Sequence, residues 1–530
     1  MSVQTSEKTP TSTSPRLGRP ILTTWEAIAQ SLAIGPIFSV AFVSTLVVSA
    51  AGSASLLAVL LAGIGMLAVG WIITLYARRY AGAGAIYDYA RHISPSLGLF
   101  AAVLYFVGIL VLGATGGYTA AGLLASQFLQ QLTGLALPWW VVGILLVVIV
   151  FVLNYFGVRL TTRVQLVLTG LSILPFLLLA IVIIAQGGAS GNTPFFIPNG
   201  PPTGLFQGTL FAITLFVGFE AAASLGEETA NPRKSIPRAI TGTVIIAAIL
   251  YLVVMYAAGI GFGSQHFDKW ISDPAFIDTL ATRYVGSWLA VLIDLAVLLD
   301  VVVSICAFSS TTARGIFALA RHGFLPASLA RTASFRSRPS TPFGGNLFIL
   351  ICAILVVAFV ALTNTDPFSA FGITAAWGTI LISAIYVVLV IGTPFIFSIK
   401  WWQWVFFVIA LAAPALGIYG SVVPFPQWPM SLAVYGSSAT IVLALVWIAV
   451  LHANRPALLA EAAKPHVWEE SPEETAAVLA PESESVASEL VEEAEPVAVA
   501  SEQPEEAELV AVASELVEEA EPVAVASELV

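Results

Sequence analysis

The sequence predicts an all-α polytopic membrane protein with about twelve transmembrane helices, the first and sixth of them broken. Three observations carry this. The 530 residues are 58% hydrophobic and 10% charged, with a mean hydropathy of +0.92, whereas about a quarter of a soluble globule's residues are charged. Runs with little or no charge, at 27–77, 92–158, 164–219 and 401–454, each exceed the ~20 residues that one crossing requires. Finally, helix breakers recur five spans apart, at Gly35-Pro36 and at Gly218.

Dividing the runs at Gly, Pro and charge clusters places helices near 26–50, 54–77, 97–126, 138–157, 162–186, 204–227, 236–261, 286–318, 345–363, 368–392, 400–421 and 431–452. Residues 1–24 form a cytoplasmic N-terminal tail, 25–455 the membrane domain, and 456–530 an acidic cytoplasmic tail. The apolar segment after the N-terminal tail is too long for a cleavable signal.

The formal net charge of −11 averages two opposite regions. Residues 1–460 carry 20 Lys+Arg against 12 Asp+Glu, while 461–530 carry one against 20. The tail repeats VASELVEEAEPVAVASE at 486–502 and 512–528, a low-complexity composition that solubilises rather than folds. With the N-terminus inside, positive charge collects in one set of loops, including Arg78, Arg79, Arg91, Arg159, Arg163, Arg233, Lys234, Arg238, Arg314, Arg321, Arg331, Arg336, Arg338 and Lys400. Lys269 and Arg283 alone fall outside, so cytoplasmic loops are richest in Lys and Arg, as expected with both termini cytoplasmic.

Interrupted helices at corresponding positions of two five-helix halves point to an inverted-repeat transporter with its site at the bilayer midplane. Glu220 stands in the sixth span, in a run with no other charge until Glu227. A charged side chain there costs at least ~2.5 kcal/mol and survives where it faces a cavity, a partner or a transported ion. Glu220 has four readings: pairing with a substrate amine, carrying a coupling proton, gating the cavity, or a protonated carboxyl fixing helix packing. Asp294 and Asp300 lie in the eighth span, about 120° apart on a helix. Asp300 is the deeper and shares its face with Ser304, which makes it the second ionisable candidate. Cys306 and Cys352 are too few for a disulfide framework or zinc cluster. His92, His266, His322, His452 and His466 fall in loops or at helix ends, with no metal spacing and no activated nucleophile. No enzyme, cofactor, metal site or nucleic-acid partner is expected.

Four segments resemble the amino acid/polyamine/organocation permease family. FVGFEAAASLGEETANPRKSIPRAI, 216–240, is similar to its F-x-G-F-[DE] break followed by E-E-x-x-N-P-x-x-x-I-P. RRYAGAGAIYDYARHISPSLG, 78–98, resembles its P-x-x-G-G-x-Y segment, with Ala81 in place of proline and Gly84-Ala85 at the glycine pair. SSTTARGIFALARHGFLPASLA, 309–330, resembles S-R-x-x-x-A-x-A-R-D-G-x-x-P, with Ala313 for Ser and His322 for Asp. Ile34-Gly35-Pro36-Ile37-Phe38 stands where the family has G-S-G-I-F.

The resemblance implies a leucine-transporter-type fold, two inverted five-helix repeats plus two extra helices. It implies a secondary transporter of amino acids or related organic amines in the plasma membrane, with a non-transporting nutrient sensor as the alternative. A substrate carboxylate would meet amides among Ile34, Gly35, Pro36 and Ile37, and an ammonium would meet carbonyls among Phe216, Val217 and Gly218, with Phe219 and Glu220 completing the site. Pro36 lacks an N–H, so either the cradle is altered or the substrate lacks a carboxylate. Glu227, Glu228 and Arg233 read as an inner ion-pair gate, joined by Tyr87, Asp88, Tyr89 and Arg91, or as solvated loop charges. Coupling ranks as a proton through Glu220 or Asp300, then exchange without an ion, then sodium at Ser309 or Ser310.

Overall fold

The computed structural model describes residues 22–34, 36–80, 82–156, 158–189, 191, 202–263, 266–273, 275–333 and 341–462. The N-terminal tail through 21, Gly35, Ala81, the arginines at 336 and 338, and the acidic repeat lie outside them.

The described residues are helical, apart from two isolated β-bridges, Leu22 with Thr229 and Ala333 with Thr341. Helix α1 (Thr24–Leu32) begins with a capping box, in which the Thr23 hydroxyl accepts from the Glu26 amide and Glu26 accepts from the Thr23 amide. Helix α2 (Pro36–Ala51) and helix α3 (Ser55–Ala77) follow. Short α4 (Ile86–Arg91) leads to α5 (Pro95–Ile109), started by a Ser94 cap and a proline at its first position. A π-helical turn at Leu110–Thr115 joins α5 to α6 (Gly117–Thr133), which stops at left-handed Gly134. Helices α7 (Trp139–Tyr155), α8 (Val158–Gln186) and α9 (Pro202–Phe216) come next. Then follow α10 (Pro232–Phe262), α11 (Phe267–Ser272), α12 (Phe276–Tyr284) and α13 (Ser287–Arg321). The chain continues through α14 (Phe343–Leu362), α15 (Pro367–Gly392), α16 (Trp404–Val422), α17 (Ser431–Asn454) and α18 (Pro456–Ala462). Helix α18 occupies the start of the segment that the sequence assigns to the tail.

Among the described residues, ten helical stretches are long and apolar enough to cross a membrane. The first, Thr24–Ala77, is 54 residues long and contains the turn Gly52–Ala54. Trp139–Tyr155 is apolar but shorter, at 17 residues. The expected twelve depends on reading the first stretch as two crossings and adding α7.

Burial sorts the helices by position. The most apolar 18-residue window of Pro202–Leu225 is wholly buried within the protein, against 28% of that in Ser431–Asn454 and 33% of those in Phe343–Leu362 and Trp401–Val422. The outer helices expose Leu443, Phe359 and Leu355, each more than 60% accessible, an apolar surface suited to hydrocarbon. Helix α9 packs on α2, α3 and α16, while α13 packs on α2 and α8. The second interrupted segment is therefore the most shielded of the candidate spans, and the first, at 67%, is well above the outer helices.

Candidate functional site

The two breaks form and touch. Helix α1 ends at Leu32 and α2 starts at Pro36. Helix α9 ends at Phe216, and after a turn the chain resumes as a 3₁₀ segment, Ala221–Leu225. Gly218 has φ +99°, a conformation that favours glycine. A Cβ on Gly218 would collide with the Ile34 side chain, so the glycine allows both the turn and the approach of the first break. The Ala222 amide donates to the Ser31 hydroxyl at 2.9 Å, tying the second break to α1. Gln30 donates to the Ala307 carbonyl at 3.2 Å, tying α1 to α13.

Between the breaks lies a cavity of about 10 Å³, lined by Ser31, Ile34, Pro36, Phe216, Phe219 and Tyr251 among others. That is about one water's room. Phe216 packs edge-on to Tyr251, with centroids 5.0 Å apart. The Tyr251 hydroxyl donates to the Leu215 carbonyl at 2.6 Å. Of the carbonyls expected to face an ammonium, those of Phe216 and Gly218 accept from the Phe219 and Ala221 amides within the turn.

Glu220 is fully buried, and neither carboxyl oxygen has a hydrogen-bond partner among the described residues. The phenols of Tyr105 on α5 and Tyr386 on α15 stand beside it, close enough to interact electrostatically. Neither phenol makes a hydrogen bond of normal geometry. Three buried polar groups thus converge in an apolar interior, with the two phenols as the donors beside the carboxyl group.

Asp300 is also fully buried, and it reaches the first break directly. Its Oδ2 accepts from the amides of Ile37 at 3.1 Å and Phe38 at 2.7 Å, while Oδ1 has no partner among the described residues. These are the second and third amides of α2, left free because a helix's first N–H groups have no intrahelical acceptor.

Toward the end of α13 the acids are paired. Glu228 and the Arg314 guanidinium, each 3% exposed, meet at 2.7 and 3.4 Å, and Arg314 also donates to the Ser310 carbonyl at 3.0 Å. Glu227 takes Arg321 at 2.7 and 3.2 Å. Two-pronged arginine–carboxylate contacts are the strong kind. Arg233 stands instead in the first turn of α10, and the acids take their partners from α13. Asp88 pairs with Arg91 at 3.3 Å, and the Tyr87 hydroxyl meets His322 Nδ1 at 2.8 Å. The loop bearing Glu228 is latched to the start of the described chain: the Leu22 amide donates to the Glu228 carbonyl, and the Ala230 amide to that of Leu22.

Of the residues expected at the site, Ile34, Pro36, Phe216, Val217 and Phe219 line the cavity and Gly218 lies against Ile34, while the Ile37 amide meets Asp300, Glu220 stands beside Tyr105 and Tyr386, and Gly35 lies outside the described residues. Sequence reasoning missed Tyr105, Tyr386 and Tyr251, which sit in ordinary-looking apolar helices. It also missed Arg314 and Arg321 as the acids' partners, although both lie in the 309–330 segment that carries the family likeness.

Closely apposed broken helices with buried carboxyl groups, inside a bundle sheathed in apolar surface, define the class: a multi-pass membrane permease fold. The chain matches the amino acid permease family over residues 22–450, and it belongs to that family. It is 28% identical to a protein named branched-chain amino acid permease BcaP from Bacillus subtilis (strain 168), over 41% of this chain and 47% of the relative. It is 23% identical to a protein of the same name from Lactococcus lactis subsp. cremoris, over 48% and 56%. A protein named cationic amino acid transporter 2, vacuolar, from Arabidopsis thaliana is 24% identical over 60% and 47%. The match spans about half the length of these relatives. All three are named as permeases or transporters, not enzymes.

Proposed function

We propose that the protein is a secondary transporter that moves amino acids or related organic amines across the plasma membrane by alternating access. Twelve spans, arranged as two inverted five-helix repeats plus two helices with both termini cytoplasmic, complete the reading. The observation that carries it is the contact between two helix breaks, each with a buried carboxyl group: Asp300 on the amides that open α2, and Glu220 two residues after Gly218. Buried ionisable groups at broken helices mark substrate and ion pathways. The relatives' names support an amino-group-bearing cargo.

Glu220 is the coupling group. Asp300 is held by two amides at 3.1 and 2.7 Å, whereas Glu220 makes no hydrogen bond of that geometry among the described residues, so a proton can join or leave it at smaller cost. The Glu228–Arg314 and Glu227–Arg321 pairs are the cytoplasmic gate, in which α13 slides from the loop when the site opens inward. Arg233 contributes the positive field at that mouth.

The test is uptake of labelled amino acids and amines into proteoliposomes under an inward proton gradient, a sodium gradient or neither. Proton-stimulated uptake is expected, with Glu220→Gln retaining binding and exchange but losing accumulation. Binding without flux for every cargo would overturn the transporter and favour a nutrient sensor. Unchanged proton stimulation in Glu220→Gln would remove Glu220 from coupling.

A further inference from the structure

We propose that Asp300 is a specificity determinant: its carboxylate occupies the anion seat at the start of α2, so the cargo is an organic ammonium ion without a free α-carboxylate. The inference rests on reading the apposed breaks as the cargo site.

The amides at the N-terminus of a broken helix are donors aimed at an anion, and the helix dipole adds to their attraction. Here the first position is Pro36, which has no N–H. The next two amides, of Ile37 and Phe38, both donate to Asp300 Oδ2. A carboxylate arriving with the cargo would have to displace one that is part of the protein. It would also approach the buried acid Asp300 itself, and like charges in a low-dielectric interior repel strongly.

The unsatisfied groups near the breaks include carboxyl oxygens, which accept hydrogen bonds. Asp300 Oδ1 and both Glu220 oxygens are fully buried without partners among the described residues, and so is the Ser304 hydroxyl, one turn along α13. The buried arginine of the helix, Arg314, is committed to Glu228 and Ser310. An unpartnered carboxylate oxygen such as Asp300 Oδ1 complements an ammonium group, whose N–H bonds all donate. Phe216 and Tyr251 in the cavity wall add aromatic faces that attract cations. A simple structural cap would explain the two amide bonds of Asp300, but it leaves the buried Oδ1 unmatched.

The deciding experiment measures equilibrium binding to the purified full-length protein, using cargo pairs that differ only in the carboxylate: leucine with isoamylamine, lysine with cadaverine, phenylalanine with phenethylamine. Binding needs no flux, so failure of transport and failure of this inference are told apart. In the parent, the amine of at least one pair is expected to bind tenfold or more tighter than its amino acid. Asp300→Ala, which frees the two amides, is expected to reduce that preference tenfold or reverse it. Asp300→Asn keeps an acceptor on the amides, so it is expected to continue rejecting the carboxylate while binding amines more weakly. Tighter or equal binding of the amino acid by the parent in every pair, or no binding by either member, would overturn the proposal. So would an unchanged preference in a monodisperse Asp300→Ala protein. Should Asp300→Ala fail to fold, the parent's pairs and Asp300→Asn decide the matter.

Discussion

Glu220 and Glu228 are eight residues apart in one segment, both buried, and treated in opposite ways. Glu228 is matched by a guanidinium through two bonds, while Glu220 has the neutral phenols of Tyr105 and Tyr386 beside it rather than a cation. A buried charge that is paired returns part of its desolvation cost, and the pair then fixes how two elements meet. A buried carboxyl group that is left unpaired returns nothing to stability, so its retention points to a role in binding or coupling. The same chain thus separates a lock from a working site within about two helical turns' worth of residues.

The largest expected effect breaks the lock from one side. Arg314→Ala leaves Glu228 buried and alone, which costs about 3–5 kcal/mol, and is expected to abolish monodisperse protein in detergent. Replacing both partners, Arg314→Met with Glu228→Gln, is expected to recover the fold while weakening inward closure. Glu220→Gln, by contrast, is expected to leave thermal stability unchanged or raise it. Equal destabilisation by Glu220→Gln and Arg314→Ala, read by thermal melting of the purified proteins, would erase the distinction between the two glutamates.

Next in size is Gly218→Ala, which addresses how Glu220 is held. The φ of +99° is unfavourable for alanine, and the added methyl meets Ile34. Strain of this kind costs about 1–3 kcal/mol before the collision is counted. Thermal melting should fall accordingly, and cargo binding should weaken further because the two breaks are pushed apart. Ile34→Ala in the same chain relieves only the collision, so partial rescue is the expected result. Full rescue would mean that the backbone conformation matters little.

Much of this was legible in the residues. Gly35-Pro36 and Gly218 announced breaks, and Glu220 stood out because nothing near it in sequence carries charge. The all-helical membrane fold followed from long runs that only internally bonded helices can carry through hydrocarbon. What could not be read is pairing across sequence distance. Glu228 finds Arg314 86 residues away, and Asp300 finds the Ile37 amide 263 residues away. Periodicity tells which face of α13 is apolar, but not which neighbour that face meets. The phenols of Tyr105 and Tyr386 were silent for another reason: a tyrosine in an apolar run reads like any aromatic packing residue until its hydroxyl is located.

A smaller test sharpens the lock. The Tyr87 hydroxyl meets His322 where α4 approaches the end of α13. A single such bond contributes about 0.5–1.5 kcal/mol. Tyr87→Phe is therefore expected to lower thermal stability slightly and to raise the rate of inward opening, measured by cysteine accessibility or exchange kinetics. A variant as damaging as Arg314→Ala would show that the lock is one cooperative network rather than separate pairs.

The least perturbing change concerns a third kind of carboxylate, one facing another acid. Asp278 on α12 lies outside the candidate spans, half-buried, and its carboxyl is pushed up to about 8, chiefly by burial and next by Asp294 beside it. An acid with a raised value in the folded state binds more protons folded than unfolded between its ordinary range near 3.8 and about 8. Its contribution to stability is therefore full below that range and is lost as pH rises toward 8. Asp278→Asn removes this loss, so the variant should match the parent near pH 4 and melt at a higher temperature than the parent near pH 8.5. Solvent reaching a half-buried group weakens the effect, which places it last. A melting difference that grows toward acid instead would mean that Asp278 is held ionised by a favourable contact, and it would move this pair from the unpaired class of Glu220 to the matched class of Glu228.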